Sequence, residues 1–242
     1  MMRPTMRPVI LMTRPAPEGA DTARDLAART GCGVVVSPLL AIRAAGDLPD
    51  MTRYRSLIFT SRNGVRAYAA LNGPKLPAVC VGEATARAAR DAGHPARASG
   101  GDAEALVADL RANPPEAPIL HLRGESARGD IAPRLTAAGL PTDAAVIYAQ
   151  DLCDLSDEAR QLLSGPAPVI VPLYSPRTAA RFAALCPKGA QVHLILISRN
   201  ADLAAAAIDA KSRSIATSPD ARAMADAVDA TLRRVEGIGG AD

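Results

Sequence analysis

The sequence predicts an α/β fold: two similar three-layer α/β/α domains with parallel sheets. Three observations carry that prediction. Short apolar runs alternate with Ala/Leu-rich segments of helical period along the chain. Most of those runs are continuous in Val, Ile and Leu, as strands of a parallel sheet read when helices cover both faces. The plan of one half of the chain also recurs in the other. With 242 residues there is room for two such domains. A chain this long buries roughly 70–75% of its unfolded surface, so it needs no disulfide or metal to hold a core.

The elements follow in order. Residues 9–12 form a strand, and Thr13-Arg14-Pro15 leads into a helix over 20–29. The strand 33–36 ends at the joint Ser37-Pro38-Leu39, a candidate linker. The strand 56–60 runs into Ser61, a cap for the helix 63–71. The strand 78–82 feeds the helix 84–92, and Gly100-Gly101-Asp102 precedes the helix 103–112. The proline-rich stretch 113–118 is a connection within a domain, followed by the strand 119–122 and the helix 131–138. The strand 144–148 ends at Tyr148, in a second candidate linker. The strand 169–173 precedes Ser175, a cap with Pro176 at the first helical position of the helix 177–185. The strand 194–198 and helix 201–209 come next, and Ser218-Pro219 repeats the capping device before the helix 221–234.

The internal repeat is one of pattern. Ile58-Phe59-Thr60-Ser61-Arg62-Asn63 is echoed by Pro172-Leu173-Tyr174-Ser175-Pro176-Arg177. Val79 to Thr85 is echoed by Ile195 to Ala201, and Gly100-Gly101-Asp102 by Thr217-Ser218-Pro219. The unit headed by Thr13-Arg14-Pro15 matches the one headed by Leu122-Arg123-Gly124.

Composition excludes several functions. A net charge of +3 is too small to coat nucleic acid, and two Phe, four Tyr and no Trp cannot form a stacking platform. No apolar run approaches a membrane span of ~20 residues. The first eight residues are basic but lack the apolar region of a secretory signal, so a cytoplasmic protein with reduced thiols is expected. Cys32, Cys80, Cys153 and Cys186 lack metal or redox spacing, and Cys80 reads as a small core residue. His121 and His193 fall within strands as hydrogen-bonded structural residues, so no metal site is expected. Neither a G-x-G-x-x-G, a G-x-x-x-x-G-K-[ST] nor a G-x-S-x-G motif is present. Glu83 and Glu125 follow strands without a visible partner, which leaves no carboxylate pair for acid–base work.

Basic charge is almost entirely arginine, with lysine only at Lys75, Lys188 and Lys211. Guanidinium forks suit carboxylate and phosphate, although a GC-rich genome produces the same bias. Arg14, Arg62, Arg123, Arg177 and Arg199 each follow a strand by one to four residues. Ligands of open parallel sheets bind beyond those strand ends. Helix N-termini capped by Ser61 and Ser175 would make anion sites there, and simple capping explains the same serines. Phe59, Tyr148 and Tyr174 stand at or beside these places.

Five blocks occur in order: Thr13-Arg14-Pro15; Ile58-Phe59-Thr60-Ser61 with Val65; Val81-Gly82-Glu83-Ala84-Thr85-Ala86; Leu122-Arg123-Gly124-Glu125; and Val146-Ile147-Tyr148. Together they resemble the uroporphyrinogen-III synthase family, over residues 9–235. The resemblance implies two α/β domains joined by a two-stranded linker near 38–40 and 147–149. One domain is discontinuous (1–37 plus 150–242), and the other (41–146) is inserted. It implies cyclisation of hydroxymethylbilane to uroporphyrinogen III, with loss of water and inversion of ring D, through an azafulvene and a spiro intermediate. No cofactor is needed. Tyr148 matches the family tyrosine thought to help the terminal hydroxyl leave.

The substrate side of the resemblance falls on Thr13, Arg14, Thr60, Ser61, Arg62, Asn63, Gly82, Thr85, Arg123, Gly124, Ser175, Pro176, Arg177, Ser198 and Arg199. The partner it implies is a linear tetrapyrrole with eight carboxylates. It implies a monomer without nucleic acid or membrane, in transient contact with hydroxymethylbilane synthase. One departure is that the family threonine is missing at Asn200-Ala201, which leaves Ser198, Arg199 and Asn200 to supply polar contacts. A non-catalytic two-domain binding or sensor protein for an anionic small molecule would use the same loops. So would an enzyme acting on a phosphorylated metabolite.

Overall fold

The computed structural model describes residues 6–126 and 130–237. Residues 1–5, on which the expectation of no secretory signal partly rests, lie outside that set. The strands are β1 (Val9–Met12), β2 (Gly33–Val36), β3 (Leu40–Ala44), β4 (Ser56–Phe59), β5 (Ala78–Cys80), β6 (Ala96–Ala98), β7 (Ile119–Gly124), β8 (Thr142–Leu152), β9 (Val169–Leu173), β10 (Val192–Leu196) and β11 (Ser212–Ile215). The helices are α1 (Glu18–Thr30), α2 (Arg62–Ala70), α3 (Glu83–Asp91), α4 (Ala103–Ala112), α5 (Ile131–Ala137), α6 (Asp157–Ser164), α7 (Pro176–Leu185), α8 (Arg199–Ala204) and α9 (Ala221–Val235).

Two compact units result. One takes the residues up to Ala41 and those from Asp151 on; the other is Ile42–Gln150. The first holds a sheet of order β2-β1-β9-β10-β11, parallel throughout. The second holds β3-β8-β7-β4-β5-β6, parallel from β8 to β6. The repeated blocks of the sequence explain this likeness. The loop after β1 corresponds to that after β7, that after β9 to that after β4, and that after β10 to that after β5. Matched on those loops, the two sheets have one strand order, and β3 is an added edge. Chain bonds from Ala45 N–H to Ile147 O (3.1 Å) and from Cys153 N–H to Leu39 O (3.0 Å) run β3 antiparallel to β8.

Each sheet is buried on both faces, which is why its strands read as unbroken apolar runs. In the second unit α2 and α3 cover a core of Leu57, Phe59, Val65, Tyr68 and Leu122. On the other face α4 and α5 cover Ile58, Val79, Leu106, Leu110 and Leu135. The first unit repeats the three layers. Leu11, Val171, Leu173, Phe182 and Leu194 lie on one face, and Ile10, Met12, Ile170, Met224 and Val228 on the other. Each fully buried side chain of this kind contributes about 1.5–3 kcal/mol. Arg29 ties α1 to α9 through Asp226 and Asp229, both at 2.6 Å.

Several expectations need correction. The strand expected at 194–198 is shifted to Val192–Leu196, because Ser198 leaves the sheet to cap α8. The helix expected over 201–209 stops at Ala204. Arg213 donates to the carbonyls of Ala205 (2.9 Å) and Ile208 (2.5 Å) and so closes the chain into a turn. Ser218 is not the cap before Ala221. Asp220 is, accepting from Ala223 N–H at 2.9 Å, and Ser218 donates to its carboxylate. Glu83 pairs with a cation, Arg90, and not with a second carboxylate. Phe59 is a core residue, packed edge-on against Tyr68 at 5.7 Å, next in the chain to Thr60.

Ser175 caps α7 as its sequence suggests, accepting from Thr178 N–H (3.1 Å) and donating to Thr178 Oγ1 (2.9 Å). Ser175→Ala is expected to lower unfolding stability by about 1 kcal/mol. Urea titration followed by circular dichroism measures this, and an unchanged midpoint would mean water caps the helix equally well.

Candidate functional site

In doubly wound sheets the ligand crevice lies where the strand order reverses. In the second unit the order reverses between β7 and β4, and a cavity of about 280 Å³ opens there. Thr60 and Ser61 after β4, Val81 after β5 and Gly124 at the end of β7 line it. Tyr148 and Gln150 of β8, with Ala103, Ser126 and Ile131, complete the wall. Ser61 is the N-cap of α2 and Ala103 the first residue of α4. Two positive helix ends therefore border the cavity and favour an anion.

Tyr148 was expected at a strand end. It lies inside the 11-residue β8, because that strand continues past it to pair with β3. Its aim depends on an irregularity. Arg123 pairs with Val146, but Gly124 pairs with Tyr148, so Ile147 is an extra residue in β8. A bulge of this kind re-aims the side chain after it. Ile147 and Tyr148, which strict alternation would send to opposite faces, both join the core under α2 and α3.

The Tyr148 ring is clamped there. A Cβ on Gly124 would come within 2.6 Å of its Cε2, and one on Gly64 within 3.8 Å of its Cε1. The ring thus occupies the place of a side chain at Gly124. Its hydroxyl lies 2.8 Å from Ser61 Oγ, which also accepts from Gly64 N–H at 3.2 Å. Only 6% of Tyr148 is exposed.

The other residues singled out in the sequence scatter. Arg62 and Asn63 begin α2, and Asn63 Oδ1 accepts from Arg66 at 3.3 Å. Gly82 is the uncapped N-cap of α3, and Thr85 is buried inside that helix. None of these four lines the cavity. Arg123 does not line it either. Alternation on β7 puts Leu122 and Gly124 on one face, and His121 and Arg123 on the other. Arg123 borders a smaller cavity of about 160 Å³ with His121, Asp130 and Ala144, and Ile131 walls both cavities.

In the first unit the corresponding reversal lies between β1 and β9. There Arg14 stacks over the Tyr174 ring at 4.3 Å and donates to Thr22 Oγ1 at 3.1 Å. Burial raises the Tyr174 pKa above 10, and the Arg14 charge opposes the shift. Thr13 is fully buried beside them, and its hydroxyl has no partner among the described residues. Ser175, Pro176 and Arg177 start α7; Ser198 and Arg199 start α8, with a long cap bond of 3.4 Å to Ala201 N–H.

Sequence reasoning missed Val81, Ala103, Ser126, Ile131 and Gln150 as lining residues. Ala103 and Ile131 start α4 and α5, Val81 and Ser126 follow β5 and β7, and Gln150 lies two residues past Tyr148 in β8; none carries a charge or a capping side chain that singles it out locally. The structure also corrects His121, whose Nε2 is buried with no hydrogen-bond partner among the described residues. His193, by contrast, bonds Ser212 Oγ at 2.9 Å. Burial, aided by the Arg123 charge, pushes the His121 pKa from 6.5 down to about 4. Between those values the unfolded chain binds the extra proton, so stability falls as pH falls from 6.5 toward 4. The expected loss from this group by pH 5 is about 2 kcal/mol. Urea titrations at pH 7 and pH 5 on the protein and on His121→Leu test it: the variant should lose that much less. Equal losses would show that His121 titrates normally.

The chain matches the family model for uroporphyrinogen-III synthase HemD over residues 21–226. No curated protein matches its sequence. Among solved structures it resembles uroporphyrinogen-III synthetase from Helicobacter pylori 26695, at 20% identity and TM-score 0.66, over 93% of this chain and all of that one. It also resembles a mutant uroporphyrinogen III synthase from the extremely thermophilic bacterium Thermus thermophilus, at 16% identity and TM-score 0.53, over 94% of this chain and 99% of that one. At such identities the structures support the fold: two α/β units with parallel sheets. The family model spans most of the chain and matches both units, so the chain belongs to the uroporphyrinogen-III synthase family.

Proposed function

We propose that this chain acts as a hydro-lyase, closing hydroxymethylbilane to uroporphyrinogen III, with Tyr148 assisting the departure of the terminal hydroxyl. The observation that carries the role of Tyr148 is its place: a phenol held by Ser61 (2.8 Å) on the wall of the cavity where the strand order reverses. A volume of about 280 Å³ is at the small end for ligand pockets. It suits one end of a linear tetrapyrrole, the end that reacts.

The step balances simply. The C–O bond of the terminal hydroxymethyl group breaks, and its oxygen takes the Tyr148 proton and leaves as water. The ring nitrogen's lone pair fills the carbon left behind, which gives the azafulvene. After carbon–carbon bond formation through the spiro intermediate, the proton lost as the last pyrrole is restored returns to the phenolate. The positive ends of α2 and α4 suit the substrate's carboxylates. Closure without inversion is spontaneous, so the chief demand on the protein is to hold the chain for attack at the substituted carbon. Positioning of this kind can supply roughly 7–11 kcal/mol, which is why a carboxylate acid–base pair is not required.

Hydroxymethylbilane generated in situ, with the type I and type III isomers separated, tests the reading. Type III product in excess of the spontaneous background is expected. Type I alone would overturn it in favour of a non-catalytic binder.

A further inference from the structure

Ser61 carries one hydrogen, and two groups meet its oxygen. As the cap of α2, Oγ accepts from Gly64 N–H at 3.2 Å; it also lies 2.8 Å from the Tyr148 hydroxyl, where either oxygen can donate. The two arrangements differ in what the cavity sees. If Tyr148 donates to Ser61, the phenol presents only lone pairs. If Ser61 donates to Tyr148, the phenol proton is free to point into the cavity. We infer that Ser61 is a positioning residue: it donates to Tyr148 and so turns the phenol proton toward the substrate.

Three features favour this arrangement. The amide of Gly64 and the positive end of α2 hold the Ser61 lone pairs, which directs its hydrogen away from the helix. The ring of Tyr148 is fixed between Gly124 and Gly64, so its oxygen stays beside Ser61. Finally, when the departing hydroxyl takes the proton and leaves as water, the same Ser61 hydrogen falls on a phenolate. A hydrogen bond to a charged oxygen is roughly twice as strong as a neutral one, so it acts mainly in the transition state.

The inference rests on the proposed role of Tyr148, and the test separates the two. Ser61→Asp keeps a good cap but can only accept, so it locks Tyr148 as the donor. Its kcat for uroporphyrinogen III is expected to fall about tenfold. Ser61→Thr, which keeps the hydroxyl, is expected to recover kcat to within about threefold. In a Tyr148→Phe background Ser61→Asp should lower kcat no further, because the pair acts as a unit. Repulsion between the new carboxylate and an anionic substrate raises KM in both backgrounds and is read separately. Ser61→Ala, also without a donor but uncharged, should lose kcat and be equally non-additive, which serves if the Asp variant folds poorly. Equal kcat in the Asp and Thr variants, with Tyr148→Phe impaired, would overturn the role of Ser61 and leave that of Tyr148. An unimpaired Tyr148→Phe would overturn both.

Discussion

Tyr148→Phe will lower the rate of uroporphyrinogen III formation tenfold or more, which corresponds to about 1.4 kcal/mol or more of transition-state stabilisation. The substitution removes one oxygen and leaves the ring in its clamp between Gly124 and Gly64. The lost bond to Ser61 at 2.8 Å should cost folding only about 1 kcal/mol, and Ser61 keeps its cap bond to Gly64. Activity and stability therefore separate. The assay follows both isomers: type III formation slows while spontaneous closure to type I continues, so the type I fraction rises. Unchanged type III turnover would remove Tyr148 from the mechanism.

Gly124→Ala is expected to be at least as damaging, for a different reason. The new Cβ would sit 2.6 Å from Tyr148 Cε2 and 2.7 Å from Cζ, so the ring must move. Neither side of the clamp is flexible: Gly124 is backbone in β7 and Tyr148 is held in β8 by the bulge at Ile147. Overpacking of this kind costs about 1–3 kcal/mol of stability. Displacing the ring also breaks the 2.8 Å contact with Ser61, so turnover should fall at least as far as in Tyr148→Phe. Gly33→Ala is the control, because a Cβ there meets nothing within 4 Å. Thermal unfolding and isomer-resolved turnover on both variants decide the matter. A Gly124→Ala protein with normal turnover would show that the ring relocates without loss.

How much of this was legible in the sequence differs by element. Central strands such as β1, β4, β7 and β9 were plain, because burial on both faces requires continuous apolar runs. The edge strands β6 and β11 were not. Ala96–Ala98 and Ser212–Ile215 are short and polar, and only their backbone pairing with β5 and β10 makes them strands. Helix α6 was missed although Ser156 caps it at 3.2 Å. The arginines were read by their distance from strand ends. That distance does not say which face a side chain takes, and alternation sends Arg123 away from Tyr148.

The sequence by itself determined the alternation of strand and helix, the duplication, and the family, because these depend on local pattern and on the order of motifs. It also marked Thr60, Ser61, Gly124 and Tyr148 individually. Only the tertiary structure decided that these four meet. That meeting needs β7 to lie beside β4, across the reversal of strand order, and one extra residue in β8 to turn Tyr148 over Gly124. Both are matters of pairing between distant segments, set by which faces the whole sheet buries, and no stretch of chain carries them alone.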